Sequence, residues 1–144
     1  MNSALPYALH RLVFRMDATA DKLLREQYSI SYKRAFFLLM LHEHGTLTQH
    51  ELALALGYSD PAVSTMLLEL VKEGYAVVES SPSHGRKRLV TLTPKGAKII
   101  EDGVGMLEAH FEKAIVQAGI DAKSYQQATD KLYAIITKQQ KDEQ

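Results

Sequence analysis

The residues best suited to chemistry lie in one short run. Between Pro82 and Lys98 the chain carries Arg86, Lys87, Arg88, Lys95 and Lys98, with His84 beside them and no acid. Guanidinium and ammonium groups clustered this way suit phosphate or another polyanion, although a solvated loop produces the same pattern. A second cluster, His42-Glu43-His44, suggests a metal. Residues two apart on a helix do not share a face, and the spacing is not that of a His-Glu-x-x-His zinc site. A zinc site would need distant partners such as His110 or Glu108, so no metal is expected. There is no cysteine, which excludes disulfides, thiolate nucleophiles and Cys-ligated zinc. No glycine-rich phosphate loop or activated nucleophile is visible. The chain reads as a non-enzyme that needs no cofactor.

The whole chain gives that basic run its contrast. Its 144 residues hold 17 Lys+Arg and 17 Asp+Glu, a formal net charge of zero. Any attraction to a polyanion must therefore be local. The last third is acidic, with five basic and eight acidic residues from 99 to 144. No apolar run approaches the roughly 20 residues of a membrane span, and the N-terminus lacks a basic segment followed by an apolar one. A cytoplasmic protein without membrane contact is expected.

The elements that position the basic run follow from periodicity and punctuation. Residues 5–27 repeat apolar side chains every three or four positions, as a helix requires. Tyr28-Ser29-Ile30-Ser31 interrupts the pattern, which resumes over 32–44 and stops at Gly45. Thr48 with Glu51 three residues on is a capping box, opening a short helix that ends at Gly57. Ser59 or Asp60 caps the next helix, with Pro61 in its first turn, and that helix ends near Gly74. Residues 75–80 and 88–93 read as two strands around a turn rich in Ser, Pro and Gly, which makes a hairpin with a basic tip. Thr93-Pro94 opens a long helix over 94–118, where Gly103 and Gly105 invite a bend. A last helix starts at Asp121 or Ala122, and the polar tail from Lys138 frays.

Two short helices joined by Gly57-Tyr58-Ser59 form a helix-turn-helix, and the hairpin adds a wing. The fold class is mainly α with a small β-hairpin wing, in a single domain over 1–144. Residues of about 31–93 form the winged helix-turn-helix core. The outer helices, about 1–28 and 94–140, carry apolar stripes that a small core cannot cover. A second copy of the chain would cover them, so a homodimer is expected.

At this point the sequence resembles the MarR family of bacterial transcription regulators. The resemblance rests on LTQHELALALGYSDPAVS (47–64), on Leu70 with Glu73-Gly74-Tyr75-Ala76-Val77-Val78-Glu79, and on HGRKRLVTLTPKG (84–96). It implies a sequence-specific regulator, a homodimer on double-stranded DNA. Its recognition helices enter major grooves of a pseudo-palindrome with half-sites roughly 34–36 Å apart. It also implies a small-molecule effector that tunes affinity.

On that reading Ser59, Asp60, Pro61, Ala62, Ser64 and Thr65 face base edges. Ala62 and the Thr65 methyl are suited to thymine methyls. Thr48, Gln49 and His50 open the preceding helix, whose free N–H groups and dipole suit phosphate. His84 and Arg86 lie at the wing tip, with Arg86 matched to the minor groove. Lys87 and Arg88 are phosphate candidates, but strand alternation should turn them to opposite faces. The resemblance further implies an effector pocket drawing on His10, Arg15, Phe36, Met40 and His110. Leu68 and Val71 depart from the family pattern, which places polar side chains there and an acid at 68 to pair with the wing. They favour apolar packing of the wing or, alternatively, a winged helix used as a protein-interaction module.

Overall fold

The computed structural model describes residues 4–142. The chain forms two compact units, one reaching to Gly105 and one starting at Met106.

In the first unit, α1 (Leu5–Tyr28) and α2 (Tyr32–His44) are joined by a tight turn. Ser29 takes a left-handed conformation (φ 55°), and its N–H donates back to Arg25 O at 3.1 Å. Ser31 then caps α2, its hydroxyl accepting from Arg34 N. Asp21 fastens the corner from the side. One carboxylate oxygen accepts from Tyr32 N at 2.9 Å and the other from Arg25 Nε at 2.8 Å. These donors stabilise the charged form and hold the Asp21 carboxyl below its ordinary range, Arg25 contributing most. Tyr32, half-buried beside Asp17, is pushed above the usual tyrosine range, chiefly by burial.

α2 is followed by β1 (Leu47–Thr48), α3 (Gln49–Leu56), α4 (Asp60–Lys72), β2 (Ala76–Ser80) and β3 (Arg88–Leu92). The three strands form one antiparallel sheet in the order β1-β3-β2. Val90 pairs with Leu47 on one side and Val78 on the other. The sequence reading anticipates the hairpin and misses β1. A two-residue strand has no alternation to read, and its pairing comes from a partner far along the chain.

The core lies between the helices and one face of this sheet. Phe37, Leu38, Leu52, Val63, Leu70 and Val90 are fully buried. Val63, Leu67 and Leu70 form the i, i+4, i+7 stripe of α4, so the opposite face of that helix is left outward.

The head of α5 (Pro94–Gln117) is clamped to the junction of α4 and β2. Thr93 Oγ1 donates to Gly74 O at 2.6 Å and accepts from Gly96 N at 3.1 Å. Thr93 N donates to Tyr75 O at 3.1 Å. Lys95 Nζ donates to Glu73 O at 2.7 Å and lies 4.7 Å from the Tyr75 ring centroid. Arg34 Nη2 approaches Glu73 Oε2 at 2.6 Å, an ion pair too poorly aligned to count as a hydrogen bond. A Cβ on Gly96 would stand 2.0 Å from Tyr75 O, so only glycine allows this approach. Gly103 eases a looser approach of α5 to α1: a Cβ there would meet Leu24 Cδ2 at 3.1 Å.

The second unit holds the rest of α5 and α6 (Ala122–Asp142). Asp121 caps α6, its carboxylate accepting from Ser124 N at 2.8 Å. The helix continues through the polar residues of the tail from Lys138 to Asp142. Its polar residues extend an established helix, where each added residue costs little and forms one hydrogen bond. The last two residues of that tail, 143 and 144, lie outside the described residues.

Candidate nucleic-acid interface

The interface starts with two helix N-termini. Thr48 caps α3: its Oγ1 accepts from Glu51 N at 3.1 Å, and Glu51 Oε2 accepts from Thr48 N at 2.7 Å. The box read from the sequence is therefore closed on both sides. It also uses two N–H groups that the sequence reading leaves free for phosphate. Those of Gln49 and His50 remain in the first turn, where helices lack intrahelical partners. The bonds from Thr48 hold the Glu51 carboxyl below its usual range, so it is ionised at neutral pH. At α4 the cap is Ser59, whose Oγ accepts from Ala62 N at 3.3 Å; Asp60 is the first helical residue.

The wing brings its cations to these termini. The loop between β2 and β3 closes through Ser81 N to Lys87 O at 2.8 Å and Lys87 N to His84 O at 2.9 Å. Thr48, Gln49, His50, Glu51, Asp60, Arg86, Lys87 and Arg88 line one open cleft. Seven of the thirteen residues expected at a DNA surface converge there. The expectation that Lys87 and Arg88 face opposite ways is corrected. Lys87 precedes the strand, which starts at Arg88, so alternation does not govern it. Among the described residues, none of the three wing cations is paired with a carboxylate within 4.0 Å.

Glu51 is the participant that sequence reasoning missed at this cleft. Its place in the capping box predicts that it stands at the mouth of α3. Only the fold shows that the wing cations stand there too, with Lys87 adding a small downward pull on its pKa. Asp60 Oδ1 lies 3.4 Å from His50 Nδ1, tying the two helix starts together at the surface.

The remaining expected residues sit along α4 and at the wing tip. Ser59, Pro61, Ala62 and Thr65 are exposed on α4, and His84 is exposed in the wing turn. Thr65 Oγ1 donates to Pro61 O at 3.1 Å. Ser64 is half-buried and accepts from Gln49 Nε2, so its hydroxyl serves the packing of α3 on α4. Beside it runs a groove between α4 and the wing, lined by Gln49, Ser64, Leu67, Leu68, Val71, Val78 and Arg88. Val71 and Val78 both line it, so an apolar residue at 71 adds to an apolar groove wall. Leu68 keeps 73% of its surface exposed and is not consumed by that packing.

The effector candidates are not gathered in this way. His10 and Arg15 line an open groove along α1 with Ala8, Arg11, Leu12 and Phe14. Phe36 and Met40 do not line it. Phe36 is half-buried and stacks on Tyr32, with centroids 6.0 Å apart and planes at 17°. His110 is exposed on α5 in the second unit. Among the described residues, no three His, Asp or Glu side chains cluster as a metal site would require. No helix among them is long and apolar enough to cross a membrane.

A helix-turn-helix flanked by a three-stranded wing with a cationic tip defines a winged helix-turn-helix protein. Comparison with known proteins finds a family match over part of the chain and a fold match over most of it. The MarR family model matches residues 28–87, the segment that holds α2, the helix-turn-helix and the wing up to Lys87. Solved structures extend the likeness over nearly the whole chain. MepR of Staphylococcus aureus, described as a transcription regulator of the multidrug efflux pump MepA, is 22% identical with a TM-score of 0.73; the match covers 94% of this chain and 98% of that one. MepR in a DNA complex is 23% identical with a TM-score of 0.75, covering 95% and 99%. A mutant of MarR from E. coli is 20% identical with a TM-score of 0.81, covering 94% and 98%. No curated protein sequence matches the chain. Residues 28–87 therefore match the MarR family, and the fold over nearly the whole chain is that of MepR and MarR.

Proposed function

We propose that the chain acts as a homodimer that binds a pseudo-palindromic DNA operator and regulates transcription there in the cytoplasm. The observation that carries this reading is the convergence of Arg86, Lys87 and Arg88 on the N-termini of α3 and α4. Cations, free first-turn N–H groups and an outward helix face are the parts a major-groove reader with phosphate contacts needs. The family supports it, and so does a relative of the same fold that has been crystallised with DNA.

The contact roles follow on the same reading. Arg86, Lys87 and Arg88 neutralise phosphate or enter the minor groove. Thr48, Gln49 and His50 position the backbone of the duplex, and Ser59 to Thr65 present the recognition surface. The domain organisation is one winged-helix core of about 31–93 with dimerising outer helices. Supporting this, α1 leaves Leu5, Tyr7 and Phe14 at least 60% exposed, and α6 leaves Tyr133 and Ile135 similarly open. A monomeric soluble protein rarely leaves such stripes uncovered. Response to a small molecule belongs to the same proposal, with His10 and Arg15 along α1 as its nearest candidates.

The test is selection of genomic fragments by purified protein, followed by affinity against salt. Three cations per protomer give six phosphate contacts per dimer at most. The log–log slope is then about −5, and affinity falls about a thousandfold between 50 and 200 mM salt. Arg86→Ala should flatten the slope by about 1.8, since a dimer loses two contacts. Absence of binding at low salt would overturn the reading and favour an interaction module acting through Leu68.

A further inference from the structure

We propose that the recognition helix reads thymine through its C5-methyl group, with Leu68 and the Thr65 methyl as the specificity-determining contacts. The inference rests on the DNA-binding reading above and adds what the outward face of α4 is built to recognise.

The argument starts from what the polar groups of α4 are already doing. Thr65 Oγ1 donates to Pro61 O on the preceding turn. With its hydroxyl turned to the helix backbone, Thr65 offers its methyl outward. Ser64 Oγ is engaged by Gln49 and sits half-buried toward the wing groove. The Asp60 carboxylate stands beside His50 at the start of the helix. The stripe opposite the buried Val63, Leu67 and Leu70 therefore runs through Pro61, Thr65 and Leu68, all exposed. At 100° per residue these three lie within one narrow sector, with Val71 on the wing side and Glu69 on the far side.

An exposed leucine on such a stripe needs an apolar partner to justify its desolvation. In the major groove the one apolar group on a base edge is the thymine methyl, and threonine methyls and other apolar side chains are its recognised partners. Charge favours DNA as the occupant of this stripe. Arg88 lines the groove beside Leu68, and Arg86 and Lys87 join it in the cleft at Asp60, unpaired among the described residues; they would seat phosphate on the wing side of the base step that Leu68 reaches.

The test separates the two levels of the argument. The probe is a pool of random-sequence duplexes made with thymidine, from which the protein selects its own site. The selected duplex is then resynthesised with deoxyuridine in the half-sites, which deletes the methyl and leaves every hydrogen-bonding group unchanged. One methyl lost per contact should weaken binding about fourfold, and about fifteenfold when both half-sites of a dimer lose one. Leu68→Ala and Thr65→Ser should shrink the thymine-over-uracil ratio toward unity. Thr65→Val, which keeps the methyl, should preserve it. Leu68 is largely exposed, so its truncation leaves the core intact. Equal affinity for the two duplexes overturns the proposal while leaving DNA binding standing. So does a selected motif without A·T pairs in its half-sites, or a ratio that ignores both variants. Failure to select any duplex overturns the DNA reading itself.

Discussion

Three glycines in α5 make opposite demands on the same substitution. In a helix interior Gly→Ala normally stabilises by about 1 kcal/mol, because alanine loses less backbone freedom on folding. Gly105 has nothing within 4 Å of its notional Cβ and should follow that rule. Gly96 should reverse it. A Cβ there would lie 2.0 Å from Tyr75 O and 3.1 Å from Leu92 Cδ2. Restoring an ordinary contact requires the head of α5 to move out by about 1 Å in a close-packed region. That shift breaks the 2.6 Å bond from Thr93 Oγ1 to Gly74 O and the 3.1 Å bond from Thr93 N to Tyr75 O. Two lost hydrogen bonds cost about 2 kcal/mol, and overpacking adds about 1–3. After subtracting the helix-propensity gain, Gly96→Ala should destabilise by about 3 kcal/mol, or roughly 10 °C in Tm for a chain of this length. Gly105→Ala should raise Tm by about 3 °C. Gly103→Ala should fall near neutral, because the terminal methyl of Leu24 can give way. Urea denaturation followed by circular dichroism, at one fixed protein concentration, measures all three. If Gly96→Ala proves as stable as Gly105→Ala, the clamp between α5 and the α4–β2 junction is wrong.

Two further substitutions probe the corners that hold the site. Thr48→Val removes the hydroxyl that caps α3 and should cost about 1 kcal/mol in denaturant midpoint analysis, while Thr48→Ser should keep the cap; equal losses for both would mean that the cap contributes nothing. Asp21→Asn tests the α1–α2 corner by its pH dependence. The folded-state pKa of Asp21 is depressed, so its stabilisation is present above the unfolded carboxylate value and is lost as pH falls through the lower folded one. The variant should be less stable at neutral pH, by under about 1 kcal/mol since the ion pair is well exposed. The gap should close in acid, and a gap that persists below pH 3 would assign the loss to packing.

The legible part of this fold is the part written in local chemistry. Thr48 with Glu51, Ser59 before Pro61, Gly45 and Gly57 at helix ends, and Thr93-Pro94 all act within a few residues, and each marks the boundary it predicts. Contacts between distant residues were not legible. β1 exists because Leu47 and Thr48 meet β3. Gln49 reaches Ser64, and His50 reaches Asp60, only once the two helices have docked. The presence of Glu51 among the wing cations depends on the same docking. Strand alternation does not reach Lys87, which lies one residue before β3 starts.

The balance of charge at the cleft bears on how such a protein would discriminate. Screening limits the reach of a charge to about 10 Å at 0.1 M salt, so the rest of the chain, with a formal charge of −3 once Arg86, Lys87 and Arg88 are set aside, has little influence at the duplex surface. Within the cleft three wing cations stand with two carboxylates, Glu51 and Asp60. Glu51 is fixed there by its role in capping α3, and its charge is already met in part by the N–H groups it accepts from. On the proposed reading the wing would therefore supply an attraction that is the same for every sequence. Sequence-independent attraction leaves discrimination to the outward face of α4. On that face the hydroxyl of Thr65 is turned inward and Leu68 is left bare. On the proposed reading, discrimination would then rest on shape and apolar contact, terms that salt does not screen. The ratio of operator binding to bulk DNA binding should accordingly stay nearly constant as ionic strength rises, because the same electrostatic share is lost from both.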